Sequence, residues 1–142
     1  ERVRAIVERC ARGAAMACGV EVDISVRQGY RDMVNNMPLA RAFGQHLASL
    51  GRPAREHDPR VGAGSTDMGD VSHAVPAIHP WLAICGEGET LCHQHAFERA
   101  AASPKGLDTM IAAAKAMART TAEFLTDAAL RDATRAAFEG RD

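Results

Sequence analysis

Residues 20–26 alternate strictly, with Val20, Val22, Ile24 and Val26 set against Glu21, Asp23 and Ser25. A period of two puts the four branched side chains on one face of an extended chain and the polar ones on the other, the pattern of a half-buried strand. One strand leaves its backbone N–H and C=O groups without ladder partners, so it demands neighbours. Strand material elsewhere is scarce. Residues 77–85 form a short apolar run whose Pro80 suits an edge or an irregular start. The chain is therefore expected to be α/β, and to be a piece of a larger α/β protein or one that depends on a partner. Its first residue, Glu1 rather than Met, fits an excised or processed piece.

Helical periodicity dominates the rest. Val3, Ile6, Val7, Cys10, Ala14 and Ala17 recur at three-to-four spacing, and Gly19 supplies a C-cap. Asn35-Asn36 followed by Pro38 opens a second helix whose inner face is Leu39, Ala42, Phe43, His46, Leu47 and Leu50, with Gly51 as its stop. Residues 52–65 turn polar and carry prolines and glycines, a loop. Residues 67–75 form a short helix with Ser65 or Thr66 as its cap, and residues 96–102 another. Ser103-Pro104 starts a long helix in which Leu107, Ile111, Ala114, Met117, Ala118, Thr121, Phe124 and Leu125 make an apolar stripe. A terminal, more exposed helix covers residues 128–138.

Composition removes several function classes. The 142 residues suffice for one domain with one core. With a formal net charge of -1 there is no global field to gather nucleic acid or anionic membrane. Arg52, Arg55 and Arg60 are interrupted by Glu56 and Asp58, and aromatic residues are only 4%, too few for a base-stacking surface. No apolar run approaches the roughly twenty residues that span a bilayer. The charged, helical start has no signal-peptide core, so the expected compartment is cytoplasmic, with Cys10, Cys18, Cys85 and Cys92 as reduced thiols. Cys10 and Cys18 lie eight residues, about 12 Å, apart along one helix, too far for a disulfide.

The chemistry-bearing stretch is GSTDMGDVSHAVPAIHP at residues 64–80, followed by Cys92-His93. Carboxylates and imidazoles beside tight glycine turns, here Asp67, Asp70, His73, His79 and His93, are the donor types of a hydrolytic metal site. Gly62, Gly64 and Gly69 do not make a nucleotide loop, because there is no lysine and no GxGxxG spacing after a strand. Cys85, Cys92, His93 and His95 lie close in sequence, but CGEGETLCHQH lacks the CxxC pairing of a structural zinc finger.

The order of a strand, Tyr30, Asn36-x-x-Leu39, a helix, the 64–80 block, Cys92-His93 and an alanine-rich helix resembles the C-terminal part of the zinc-dependent aminoacylase/carboxypeptidase family. The branch it resembles is that of the aminobenzoyl-glutamate hydrolases and related amidohydrolases, and the likeness covers nearly the whole chain. The resemblance implies a co-catalytic zinc hydrolase whose α/β catalytic domain is interrupted by a smaller lid. Residues 1–30 would be the last helix and strand of that lid, the part through which such enzymes form homodimers, and residues 31–142 would return to the catalytic domain.

Position by position, the resemblance makes His93 the family's final metal ligand. Asp67 matches the acidic residue of a loop bordering the site, where it orients a ligand or caps its own helix. Asp70 reads as a structural hydrogen-bonding partner. His73 and His79 fall where the resembling enzymes line the substrate pocket, although the residues alone also read His79 as structural. His95, His46 and His57 read as ordinary surface or packing histidines. The resemblance implies two zinc ions, or another divalent metal such as manganese, in the intact enzyme, with the general base and the other ligands placed before Glu1. The expected activity is metal-dependent hydrolysis of an amide bond in a small N-acyl or aminoacyl substrate, by a longer protein of which this chain alone is not active. The alternative is a non-catalytic binding or scaffold module that keeps the fold remnant.

Overall fold

The computed structural model describes residues 2–27, 29–55 and 64–140. His57, Arg60 and Gly62 lie outside the described residues. Six helices follow one another: α1 (Arg2–Cys18), α2 (Met37–Ser49), α3 (Met68–Ala74), α4 (His95–Ala101), α5 (Pro104–Thr126) and α6 (Ala128–Glu139). Their ends follow local chemistry. Asn36 caps α2 with Oδ1 accepting from Leu39 N–H, and Pro38 follows in its first turn. Ser103 and Asp127 cap α5 and α6 in the same manner, accepting from Gly106 and Ala129 N–H. Gly19 closes α1 at φ +64, where a side chain would be strained.

The expected α/β architecture is not found. Among the described residues there is no strand and no sheet. Residues 20–26 form no ladder with any described residue, and Val20, Val22 and Val26 are 61%, 40% and 43% exposed. Alternation specifies which face of a strand is apolar, but a ladder forms only when a second strand presents its backbone groups. Residues 77–85 fail for the same reason. Their region bonds to the rest of the chain through Asn36 N–H to Ala77 O at 2.8 Å and His79 N–H to the Asn35 side chain, not through a ladder.

The helical body is built from α2, α5 and α6 packed on one another, with α4 against the start of α5. Phe43, Leu47 and Ala116 form its small apolar centre, flanked by Leu50, Ile78, Leu82 and Ala112. The face of α5 turned inward carries small residues, with Gly106, Thr109, Ala116 and Thr120 buried. Small side chains let helix backbones approach closely. At Gly106 a Cβ would come within 2.4 Å of the Ala100 and Ala101 carbonyl oxygens, so α4 and α5 meet there only through glycine. Consequently the apolar stripe read from the sequence is turned outward: Leu107, Ile111, Met117 and Leu125 are 49–69% exposed.

Among the described residues α1 packs against no other helix, and only its Ala15 is buried.

Candidate functional site

The largest fully buried side chains are polar: Asn36, Thr134 and Ser72. Two of them organise the region that carries the candidate residues. Residues 31–36 form an extended strip laid across α3 and along residues 77–79. Arg31 N–H donates to Asp70 Oδ1 at 3.2 Å, and Val34 N–H donates to Ser72 Oγ at 3.1 Å. Ser72 Oγ in turn donates to Gly69 O at 2.7 Å. Gly69 sits directly under the strip, where a Cβ would fall 1.9 Å from Arg31 O. No other residue type allows this crossing without displacing one of the two backbones.

Three of the expected site residues hold this strip. Asp70 does so through its carboxylate, as described. The His73 ring lies with Nε2 3.1 Å from Asp32 O and 3.5 Å from Asp32 Oδ1. His79 donates its backbone N–H to Asn35 Oδ1 at 2.9 Å, and its ring lies tilted against Trp81 with centroids 5.9 Å apart. Asp67 stands apart from them. It occupies the N-cap position of α3 but its side chain caps nothing. Thr66 Oγ1 accepts the Met68 N–H instead, at 3.2 Å, and approaches Asp67 Oδ1 at 3.5 Å.

His93 lies on a separate, exposed turn between Leu91 and α4. Gln94 ties this turn by accepting from Leu91 N–H and Thr90 Oγ1. His93 has φ +68, and among the described residues no other non-glycine residue has a positive φ. Histidine enters the left-handed region more readily than most residues, at a cost of about 1–2 kcal/mol. His95 opens α4, fully in solvent, with Nδ1 3.8 Å from Glu98 Oε2.

These donors do not by themselves make a metal centre. Among the described residues no group of three or more His, Cys, Asp or Glu side chains could hold an ion. Cys85, Cys92, His93 and His95 are not brought together into such a group, and all four cysteines are free thiols. A bound zinc needs three or four protein ligands, so His93 would be one contribution among several. None of Asp67, Asp70, His73, His79 and His93 lines either of the two cavities in the helical body.

Two groups with structural consequences had little signal in the sequence. His46, read as an ordinary packing residue, has Nε2 2.6 Å from Glu123 Oε2 and joins α2 to α5. Beside it Arg119 Nη1 donates to Ser49 Oγ, which donates to His46 O. The partners are 77 and 70 residues apart, a separation that no local pattern announces. Asn36 was legible as a cap. Its second bond, Nδ2 to Thr134 O of α6 at 2.9 Å, was not.

No family model matches the chain. It is similar to the Xaa-Arg dipeptidase of Mus musculus, 33% identical over 135 residues, which is 93% of this chain and 31% of that protein. It is also similar to the Xaa-Arg dipeptidase of Homo sapiens, 32% identical over 137 residues, 93% of this chain and 30% of that one. Both relatives are peptidases by name, which supports a peptidase or amidohydrolase kinship and does not single out the aminobenzoyl-glutamate branch. The chain spans just under a third of the length of these relatives, and nearly all of it is peptidase-like in sequence.

Proposed function

We propose that this stretch belongs to a longer hydrolase that cleaves an amide bond joining an acyl or aminoacyl group to an amino acid. The observation that carries the reading is 32–33% identity to two dipeptidases across 93% of the chain. Dipeptides and the N-acyl amino acids of the aminobenzoyl-glutamate branch share that bond and a free carboxylate, so both fall within the proposed substrate class.

Residues 31–142 would belong to the catalytic part and residues 1–30 to the lid, with a homodimer formed through the lid and the enzyme at work in the cytoplasm. Support for an interface there comes from α1, which among the described residues packs against no other helix. His93 would supply one metal ligand, the other ligands and the general base coming from chain beyond this stretch. Zinc or manganese, two ions per active site, would polarise the carbonyl when bound. The donors present here do not complete such a site, so no step of the reaction is assigned to them. What these residues do is positional. Asp70, Ser72 and His73 fasten the strip 31–36 over α3, and Gln94 ties the turn that holds His93 clear of the body.

The test is His93→Ala in the full-length protein. Loss of dipeptide hydrolysis together with a fall in bound metal is expected, and wild-type turnover would refute the ligand assignment. A second reading, a non-catalytic binding module, draws on the incomplete donor set among the described residues. Metal-free full-length protein with no hydrolysis of any dipeptide or N-acyl amino acid would select it.

A further inference from the structure

The turn that carries His93 is closed at both ends by one residue, Gln94. Its backbone carbonyl starts α4 by accepting from Phe97 N–H at 2.9 Å and Glu98 N–H at 3.4 Å. Its side chain does not cap that helix. It turns back instead, Oε1 accepting from Leu91 N–H at 3.2 Å and from Thr90 Oγ1 at 3.0 Å. A backbone N–H only donates, so the Leu91 contact fixes which end of the amide faces the turn. Cys92 and His93 are therefore spanned between a side-chain strap and the first turn of α4. No residue of α4 is buried, and it meets the body where Gly106 of α5 lies against the Ala100 and Ala101 carbonyl oxygens. The placement of His93 thus runs through Gln94 to α4, and from α4 to α5.

Two features of His93 give that strap a purpose. Its backbone stands at φ +68, a conformation that an unconstrained histidine leaves. Its ring makes no hydrogen bond or ion pair among the described residues, whereas the rings of His46 and His73 are committed to Glu123 and Asp32. A strained backbone beneath an uncommitted imidazole fits a metal ligand held ready.

We propose that Gln94 is a positioning residue that sets how tightly the intact enzyme holds metal at His93, an inference that rests on the ligand reading of His93 given above. With the strap in place the turn is ordered before metal arrives. Without it the turn relaxes from φ +68, and the cost of ordering it again falls on metal binding.

Zinc affinity of the full-length protein, measured by competition with a chromophoric chelator, tests this. Gln94→Met keeps the length of the side chain and removes the acceptor. It should weaken zinc about tenfold, the scale for partners that orient metal ligands, with the melting temperature of the metal-free protein unchanged. Excess zinc should restore its turnover with KM unchanged, which a residue touching substrate would not allow. Thr90→Val removes one of the two donors and should weaken zinc less, with no further loss in the Gln94→Met background, because both act through one strap. Zinc held by Gln94→Met as tightly as by the unaltered protein would overturn the proposal. A Thr90→Val loss that persists in full in the Gln94→Met background would do the same. His93→Ala separates the two levels: weaker zinc there but not in Gln94→Met overturns the strap alone, while unchanged zinc in His93→Ala overturns the ligand reading and the strap with it.

Discussion

Replacing Asn36 by alanine probes the joint between three parts of the fold. The side chain is 1% exposed, caps α2 through Oδ1 and reaches α6 through Nδ2. A lost N-cap costs about 1 kcal/mol, and a lost buried amide hydrogen bond about another. The space vacated in a site that cannot refill with solvent adds a fraction more. Together Asn36→Ala is expected to cost about 2–3 kcal/mol. For a chain of this size a urea slope of about 2 kcal/mol/M turns that into a midpoint shift of about 1–1.5 M, read by far-ultraviolet circular dichroism. Asn36→Asp sharpens the test. It keeps the capping oxygen but faces Thr134 O with an oxygen in place of a donor. That oxygen meets the Thr134 carbonyl without a hydrogen between them, so Asn36→Asp is expected to lose the α6 bond while it keeps the cap, and to be destabilised in the same melts. A midpoint for Asn36→Ala within about 0.3 M of the unaltered protein would refute the hub, as would an Asn36→Asp variant as stable as the unaltered protein.

The remaining tests address single contacts. Gly69→Ala drives a Cβ into the Arg31 carbonyl and should cost about 2–3 kcal/mol in the same melts, with exchange protection lost at the Val34 amide. Ser72→Ala removes the acceptor for Val34 N–H and should cost about 1–3 kcal/mol, protection at Val34 again being the local readout. Glu123→Gln weakens the half-exposed pair with His46, and a loss of no more than about 1 kcal/mol, smaller still in high salt, is expected in urea melts. His93→Gly should be more stable than His93→Ala by about 1 kcal/mol, since glycine occupies φ +68 without strain; equal midpoints would remove the strain argument.

The sequence and the structure part company along a clear line. Helices were legible because their signals are local: Asn36 with Pro38, Ser103 with Pro104, Gly19 and Gly51 mark ends within a few residues of where the helices stop. The strands were not, because alternation at residues 20–26 states a preference that only a second strand can satisfy. Orientation was misread on α5 for a related reason. An apolar stripe is expected to face inward, but close helix packing selected the small residues of the opposite face. Of the candidate site, the block 64–80 was recognisable as a block. Its internal connections were not, since Asp70, Ser72, His73 and His79 all act on residues 38–44 positions earlier.

The Asn36–Thr134 bond joins residues 98 positions apart. Closing a loop of that length carries an entropy cost of about 4 kcal/mol beyond the constant for any closure. It also imposes a schedule. A chain emerging at about 5–20 residues per second leaves the first turn of α2 waiting some 5–20 s for its partner in α6. Throughout that interval the Asn36 Nδ2 donor must be satisfied by water. The link between α2 and α6 therefore follows, in order of synthesis, the bonds that tie Asn36 to Ala77 and His46 to Glu123.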